Sequence, residues 1–207
     1  MHIPDEFKEV RSEEIASIVQ NFPLACVVAN TPNGLIATHI PLILKPNGVL
    51  VGHIAMVNDM RTLVADNQEV MCVFKGDDAY ISANYYPSKW VDHQKVPTWN
   101  YQAVHIYGNL TFFTDKKSKL SALGMLTKQS EQQANGSSAW KMSEAPADYL
   151  AALLEDIVVF EVQISRVLAQ SKLSQNRDQK DFDSVVAELK LRGKEGVADS
   201  MLRLKRD

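Results

Sequence analysis

Apolar positions in the first half of the chain fall in short runs separated by turn signals. Leu24 to Ala29 is apolar and β-branched, and Thr31-Pro32-Asn33-Gly34 follows it. Leu35 to Leu44 is strand-like, Lys45-Pro46-Asn47-Gly48 is a second turn, and Val49 to Ile54 is a third apolar run. Proline sets φ at the first turn position and Asn-Gly tolerates positive φ, so the three runs predict a β-meander. Glu69 to Lys75 and Ala79 to Ala83 read as two further strands. Ala103 to Phe113 alternates, with Val104, Ile106, Leu110 and Phe112 on one face and His105, Tyr107 and Asn109 on the other. Ile157 to Leu168 alternates in the same way.

Helical spacing lies mainly at the ends and in two insertions. Ser12-Glu13-Glu14 opens a short helix with acids in its positive first turn, and Pro23 ends it. Asn58 to Ala65, Lys116 to Gln129 and Ala147 to Glu155 read as helices, the last begun after Pro146. Gln132 to Ser138 is polar and reads as a loop. From about Asp178 the chain is charged and helical. Between Asn84 and Trp99 lies a loop dense in rings and proline, long enough to cover or do something. About seven strands at short spacing, with turns rather than crossover helices between the early ones, predict a mainly β (α+β) fold. The architecture expected is a small antiparallel barrel with peripheral helices. The expected division is a barrel domain over 1–177 and a helical C-terminal extension over 178–207.

Composition narrows the class. Of 207 residues, 45% are hydrophobic, enough for a real core and too many for a disordered chain. The net charge is -3, which argues against a broad basic surface for nucleic acid. Lys190, Arg192, Lys194, Arg203, Lys205 and Arg206 could form a basic helix face. Glu188, Glu195, Asp199 and Asp207 interleave with them, and mixed charge reads as a solvated helix. Direct DNA binding is therefore doubtful. Cys26 and Cys72 lie in apolar runs and read as reduced buried thiols, no apolar stretch is long enough to span a membrane, and the first ten residues have no apolar signal core. A cytoplasmic protein is expected.

Neither common phosphate loop is present, nor a nucleophile elbow. No two of the histidines His2, His39, His53, His93 and His105 stand at i, i+4, so no metal site is assigned and no catalytic acid or base is identified. Three segments are unusual for plain structure. In Ala37-Thr38-His39-Ile40-Pro41-Leu42, proline inside a strand marks either an edge that re-aims groups toward a site or a barrel corner. In Gly52-His53-Ile54-Ala55-Met56-Val57-Asn58-Asp59-Met60-Arg61, a strand enters a helix start. Asn58 is a possible cap and Arg61 a candidate phosphate ligand; taken alone, an ordinary capped helix with a surface arginine is the better reading. Lys172-Leu173-Ser174-Gln175-Asn176-Arg177 mixes two cations with hydrogen-bonding groups, suited either to a polar anion or to a solvated loop. The rings of Val96 to Tyr101 either stack on a planar ligand or fill a core or interface.

At these residues the chain resembles the PaiB family, FMN-binding proteins described as negative transcriptional regulators. The resemblance is carried by ATHIPL (37–42), GHIAMVN (52–58), AYIS (79–82), YYPSKW (85–90), VPTWNY (96–101), AVHIYG (103–108), APADYL (145–150) and KLSQNR (172–177). They stand in the family's order across nearly the whole chain; Val91 to Lys95 and Asp59-Met60 depart from the family's pattern. The resemblance implies an FMN-binding split barrel that forms a homodimer, with the flavin at the subunit interface. It implies that Thr38, His39, Ile40, Pro41, His53, Ile54 and Ala55 line the flavin ring and that Asn58 and Arg61 lie toward the phosphate. Trp99 and Asn100 would sit near the ring, and Lys172, Ser174, Gln175, Asn176 and Arg177 would close the site. The function implied is repression, with flavin redox state as the signal sensed. An FMN-dependent oxidoreductase with indirect regulatory effects and a haem-handling split-barrel protein are the alternatives.

Overall fold

The computed structural model describes residues 1–204. Helix α1 (Ser12–Asn21) is followed by β1 (Leu24–Thr31), β2 (Gly34–Pro41), β3 (Ile43–Leu44) and β4 (Val49–Ala55). Then come α2 (Asp59–Leu63), β5 (Gln68–Ile81), α3 (Lys89–Asp92), β6 (Thr98–Phe113), α4 (Lys116–Asn135), α5 (Ala147–Glu155) and β7 (Ile157–Lys172). Helices α6 (Gln179–Leu191) and α7 (Glu195–Leu202) end the described chain. The seven strands form one sheet in the order β2-β1-β5-β6-β7-β4-β3, and the pairings β1–β2, β1–β5, β3–β4 and β4–β7 are antiparallel. No helix among the described residues is long and apolar enough to cross a membrane.

This order corrects the expected meander. Strands β1 and β2 do form a hairpin on the Pro32-Asn33 turn, with Gly34 at φ 100°. The second turn is also present: the Gly48 amide donates to Lys45 O at 3.0 Å, and Gly48 takes φ 74°. But β2 and β3–β4 lie at opposite ends of the strand order. The chain breaks its ladder at Pro41, which has no amide hydrogen to give, and Leu42 falls between the two strands, fully buried. Of the two readings of Pro41, the corner is the one adopted. The two ends of the sheet are thus one residue apart in sequence, while the ladder between them stays open.

Three further expectations change. The predicted strands Glu69 to Lys75 and Ala79 to Ala83 are one strand, β5. The polar stretch Gln132 to Ser138 is not a loop from its start: α4 runs on to Asn135, and Gly136, at φ 53°, ends it. The ring-rich loop after Asn84 is folded, with a helical turn at Ala83–Tyr85 and α3 after it.

The chain packs as two units. One holds Met1–Ile18, Lys75–Val104 and the described residues from Leu168 onward; the other holds Val19–Phe74 and His105–Val167. In the second unit β4 is buried on both faces. Leu50, Gly52 and Ile54 share one face. A Cβ on Gly52 would sit 2.5 Å from Leu42 Cδ2 and 2.9 Å from Phe160 Cζ, which puts those two side chains against the glycine. On the opposite face Val49, Val51 and Val159 pack with Ala122 of α4. Lys119 of α4, itself buried, donates to Leu154 O of α5 at 2.6 Å.

In the first unit Ile81, Tyr86, Leu173, Phe182, Val185, Leu189 and Met201 form a core between strand ends and the C-terminal helices. Beside it runs a polar network that the sequence did not announce. Glu9 accepts from the Arg11 backbone amide, from Arg11 Nε and Nη2, and from Ser171 Oγ, at 2.6–2.9 Å. Gln102 Nε2 donates to Glu14 Oε1 and Ser171 Oγ, both at 2.9 Å. Burial pushes the Glu9 carboxyl up, but the hydrogen bonds from Arg11 and Ser171 outweigh it and hold the group below the ordinary 4.5. Removing one partner of a buried charged network leaves the rest unsatisfied, so Glu9→Ala is expected to cost roughly 2 kcal/mol. Because the folded-state carboxyl is the stronger acid, this stabilisation is present at neutral pH. It is lost as pH falls below 4.5 through the lower folded value. Urea denaturation of both proteins at neutral and acid pH checks this, the gap being wide at neutral pH and narrow in acid.

Candidate functional site

In the second unit the edge strand β2 and the start of α2 enclose a groove of about 500 Å³ lined by Ile36, Ala37, Thr38, Val57, Asn58 and Asp59. Being an edge, β2 leaves alternate backbone N–H and C=O groups unpaired on its outer side. Asn58 caps α2: its Oδ1 accepts from the Met60 amide at 3.0 Å. Met60 beneath it is fully buried, so the cap is fixed from below. Thr38 and Asn58 are the two predicted residues that line this groove together.

The others of the second unit are placed around it. Ile40 shares the Thr38 face and is buried, whereas His39 and Pro41 lie on the opposite, exposed face. His53 pairs with Val159 across β4–β7, on the face away from Leu50 and Ile54. Its Nδ1 is buried without a hydrogen-bond partner, and burial pushes its pKa below 6.5. Ile54 is buried and Ala55 exposed; the Ala55 carbonyl accepts from the Asn58 amide at 2.9 Å. Arg61 does not line the groove. It stands in the last turn of α2, its guanidinium 5.2 Å from the Phe112 ring centre, its Nε buried and without a partner. A buried guanidinium N–H without an acceptor costs free energy unless an oxygen ligand meets it.

The remaining predicted residues lie in the first unit, where most are already engaged. Asn100 is fully buried. It exchanges two hydrogen bonds with Ser174 Oγ, at 2.9 and 3.1 Å, and its Nδ2 reaches Met201 Sδ at 3.6 Å. Ser174 sits at φ 63°, so this pair holds a left-handed turn. Gln175 folds back on its own segment, accepting from the Leu173 amide at 2.8 Å and donating to Ser171 O at 2.6 Å. Lys172 Nζ donates to Thr98 Oγ1 at 2.6 Å. The Arg177 guanidinium lies 4.9 Å from the Tyr86 ring centre, and Asn176 is exposed. Trp99 is half exposed and meets Tyr80 edge-on at 5.9 Å. Of the segment 172–177, Ser174 and Gln175 thus fasten that turn.

Comparison with known proteins bears on the geometry. Residues 1–166 match the family described as "Putative FMN-binding domain". The chain is 32% identical over 192 residues to protease synthase and sporulation protein PAI 2 of Bacillus subtilis, covering 91% of this chain and 89% of that one. The chain belongs to the PaiB family. Among solved structures it is similar to a flavocytochrome of Azotobacter vinelandii, with TM-score 0.61 and 13% identity over 88% of this chain and 78% of that one. It is also similar to an FAD- and haem-binding protein of Mycobacterium smegmatis, with TM-score 0.57 and 14% identity over 80% and 73% of the two chains. At such identities the likeness is one of fold: the split-barrel architecture, with its sheet not closed. The PaiB resemblance therefore rests on sequence over most of the chain, and the fold agrees with it.

The expected basic face of the C-terminal helices is partly neutralised. Arg192 Nη1 pairs with Glu188 one turn away, and Arg203 Nη2 lies 3.5 Å from Glu14. Lys205 and Arg206, counted toward that face, and Asp207, counted among the interleaving acids, lie outside the described residues.

Proposed function

We propose that this chain is a PaiB-type FMN-binding regulator whose flavin lies in the β2–α2 groove and reports redox state. The observation that carries the reading is the groove itself. About 500 Å³ is within the range of small-ligand pockets, and one wall is an open strand edge able to hydrogen-bond a planar polar ring. The residues present fit the group. Ile36 and Val57 supply apolar surface, Thr38 and the strand edge supply hydrogen-bonding groups, and the unpartnered Arg61 Nε supplies a donor on the neighbouring turn. When bound, FMN supplies the redox chemistry. The protein's part would be to hold the ring against β2 and to meet the phosphate with Arg61.

The homodimer belongs to this reading. On the outward face of β2-β1-β5, His39, Cys26 and Val73 form one cross-strand row and Ala37, Val28 and Met71 the next. Leu24 and Leu35, exposed at 60% and 76%, flank these rows. A contiguous apolar face beside the groove is what a second copy would cover. Cys26 and Cys72 are both free, as in a reducing cytoplasm. With mixed charge in the C-terminal helices, regulation through flavin state rather than by gripping DNA fits best. Fluorescence titration of FMN with the flavin-free protein tests the reading: quenching that saturates at one FMN per chain supports it, and unquenched FMN contradicts it. Sedimentation in the same buffer is expected to give twice the chain mass.

A further inference from the structure

A second groove in the same unit lies away from β2. The arm that follows α4 folds back along that helix, held by Glu131. Its Oε2 accepts from the Trp140 amide at 2.9 Å and from Asn135 Nδ2 at 2.7 Å, and these bonds draw its carboxyl below the ordinary range. Between arm and helix is a cavity of about 370 Å³. Its walls are chiefly apolar, made by Ala139, Trp140 and Met142 of the arm and by α4 at Gly124. A Cβ on Gly124 would meet nothing within 4 Å, so the helix has a gap where the cavity opens. Trp140 is 40% exposed, which leaves part of its ring free to be covered.

The charge at this cavity has one sign. Lys128 and Lys141 line it, and no acidic residue does. Neither ammonium takes part in an ion pair or hydrogen bond among the described residues. The neighbouring acids are occupied in holding the arm: Glu131 accepts from the Trp140 amide, and Glu144 Oε1 accepts from the Lys141 amide at 2.9 Å. An indole wall with two unneutralised ammonium groups at the rim complements a flat apolar ring that carries a negative charge.

We propose that this groove binds a small aromatic carboxylate, its ring packed on Trp140 over Gly124 and its carboxylate between Lys128 and Lys141. The site stands apart from the FMN groove, shares no lining residue with it, and does not depend on the flavin reading.

The test uses the full chain and 2-naphthoate as probe, followed by equilibrium dialysis and tryptophan fluorescence. One saturable site per chain is expected, weakening as salt screens the lysines. Gly124→Leu fills the gap from a helix position that favours leucine over glycine, so the fold persists and probe binding is lost. Lys128→Gln with Lys141→Gln should weaken 2-naphthoate about tenfold, the effect of two exposed ion pairs, and leave the neutral 2-naphthamide unaffected. The far-UV circular dichroism spectrum and urea midpoint of each variant serve as the control for folding. Undiminished 2-naphthoate binding in Gly124→Leu would overturn the location. Equal affinity of the wild type for acid and amide would overturn the charge recognition, and no saturable binding would overturn the proposal as a whole.

Discussion

Replacing Arg61 with alanine is expected to weaken FMN by roughly ten- to a hundredfold, the range for losing a charged hydrogen bond to phosphate, while riboflavin affinity changes little. Riboflavin carries the same ring without the phosphate, so the ratio of the two losses reports on the phosphate alone. The expectation rests on the Arg61 Nε atom, buried and without a partner. The guanidinium is also packed at 5.2 Å from the Phe112 ring centre, so alanine removes some packing as well. That second effect would reach both ligands alike. Equal losses for FMN and riboflavin would therefore mean that Arg61 supports the groove without meeting the phosphate. Arg61→Lys keeps the charge but not the fork of N–H groups, and should recover only part of the difference.

The largest effect on stability is expected at Gly108 of β6. A Cβ there would sit 2.3 Å from Gln163 O and 2.8 Å from Val162 Cγ1. The first obstacle is backbone of β7, which cannot turn aside as a side chain can. Gly108→Val should cost at least about 3 kcal/mol through overpacking and lost strand pairing. Gly52→Ala is the informative comparison, because its obstacles are the ends of the Leu42 and Phe160 side chains. Urea midpoints should rank wild type above Gly52→Ala and Gly52→Ala well above Gly108→Val. A Gly108→Val protein as stable as wild type would mean that β6 and β7 are not so closely apposed.

Local signals in this sequence gave local structure, and long-range pairing escaped them. Pro32-Asn33-Gly34 and Pro46-Asn47-Gly48 predicted both turns because proline and glycine act on their own φ angles. The same reasoning produced a meander, since nothing in the apolar runs says which run pairs with which. Pro41 held the missing information: a strand residue without an amide hydrogen allowed a corner or an edge, and only the register of β2 on β1 and of β3 on β4 decided. The two predicted strands were separated at Gly76-Asp77-Asp78, residues of low strand propensity, but β5 runs on through them. Helix α4 outran its expected end because Gln132, Gln133 and Ala134 are adequate helix formers and Gly136, not the polar run, stops it.

Of the candidate site, the Asn58 cap was legible from a cap residue before a helical run, and it holds the start of α2 against the groove. The polar cluster at 172–177 was legible as polar but not as self-satisfied. Composition cannot tell that Ser174 and Gln175 spend their hydrogen bonds on Asn100 and on their own turn. The Glu9 network was invisible because Glu9 and Glu14 lie far in sequence from Gln102 and Ser171 and each is individually ordinary.

The visible absorption spectrum tests the central claim most directly. The protein is to be mixed with excess FMN, passed through gel filtration and read at once. A protein peak that carries the flavin bands, at one flavin per chain, is the expected result. A colourless peak, or a Soret band in the protein as purified with no flavin retained, would contradict it.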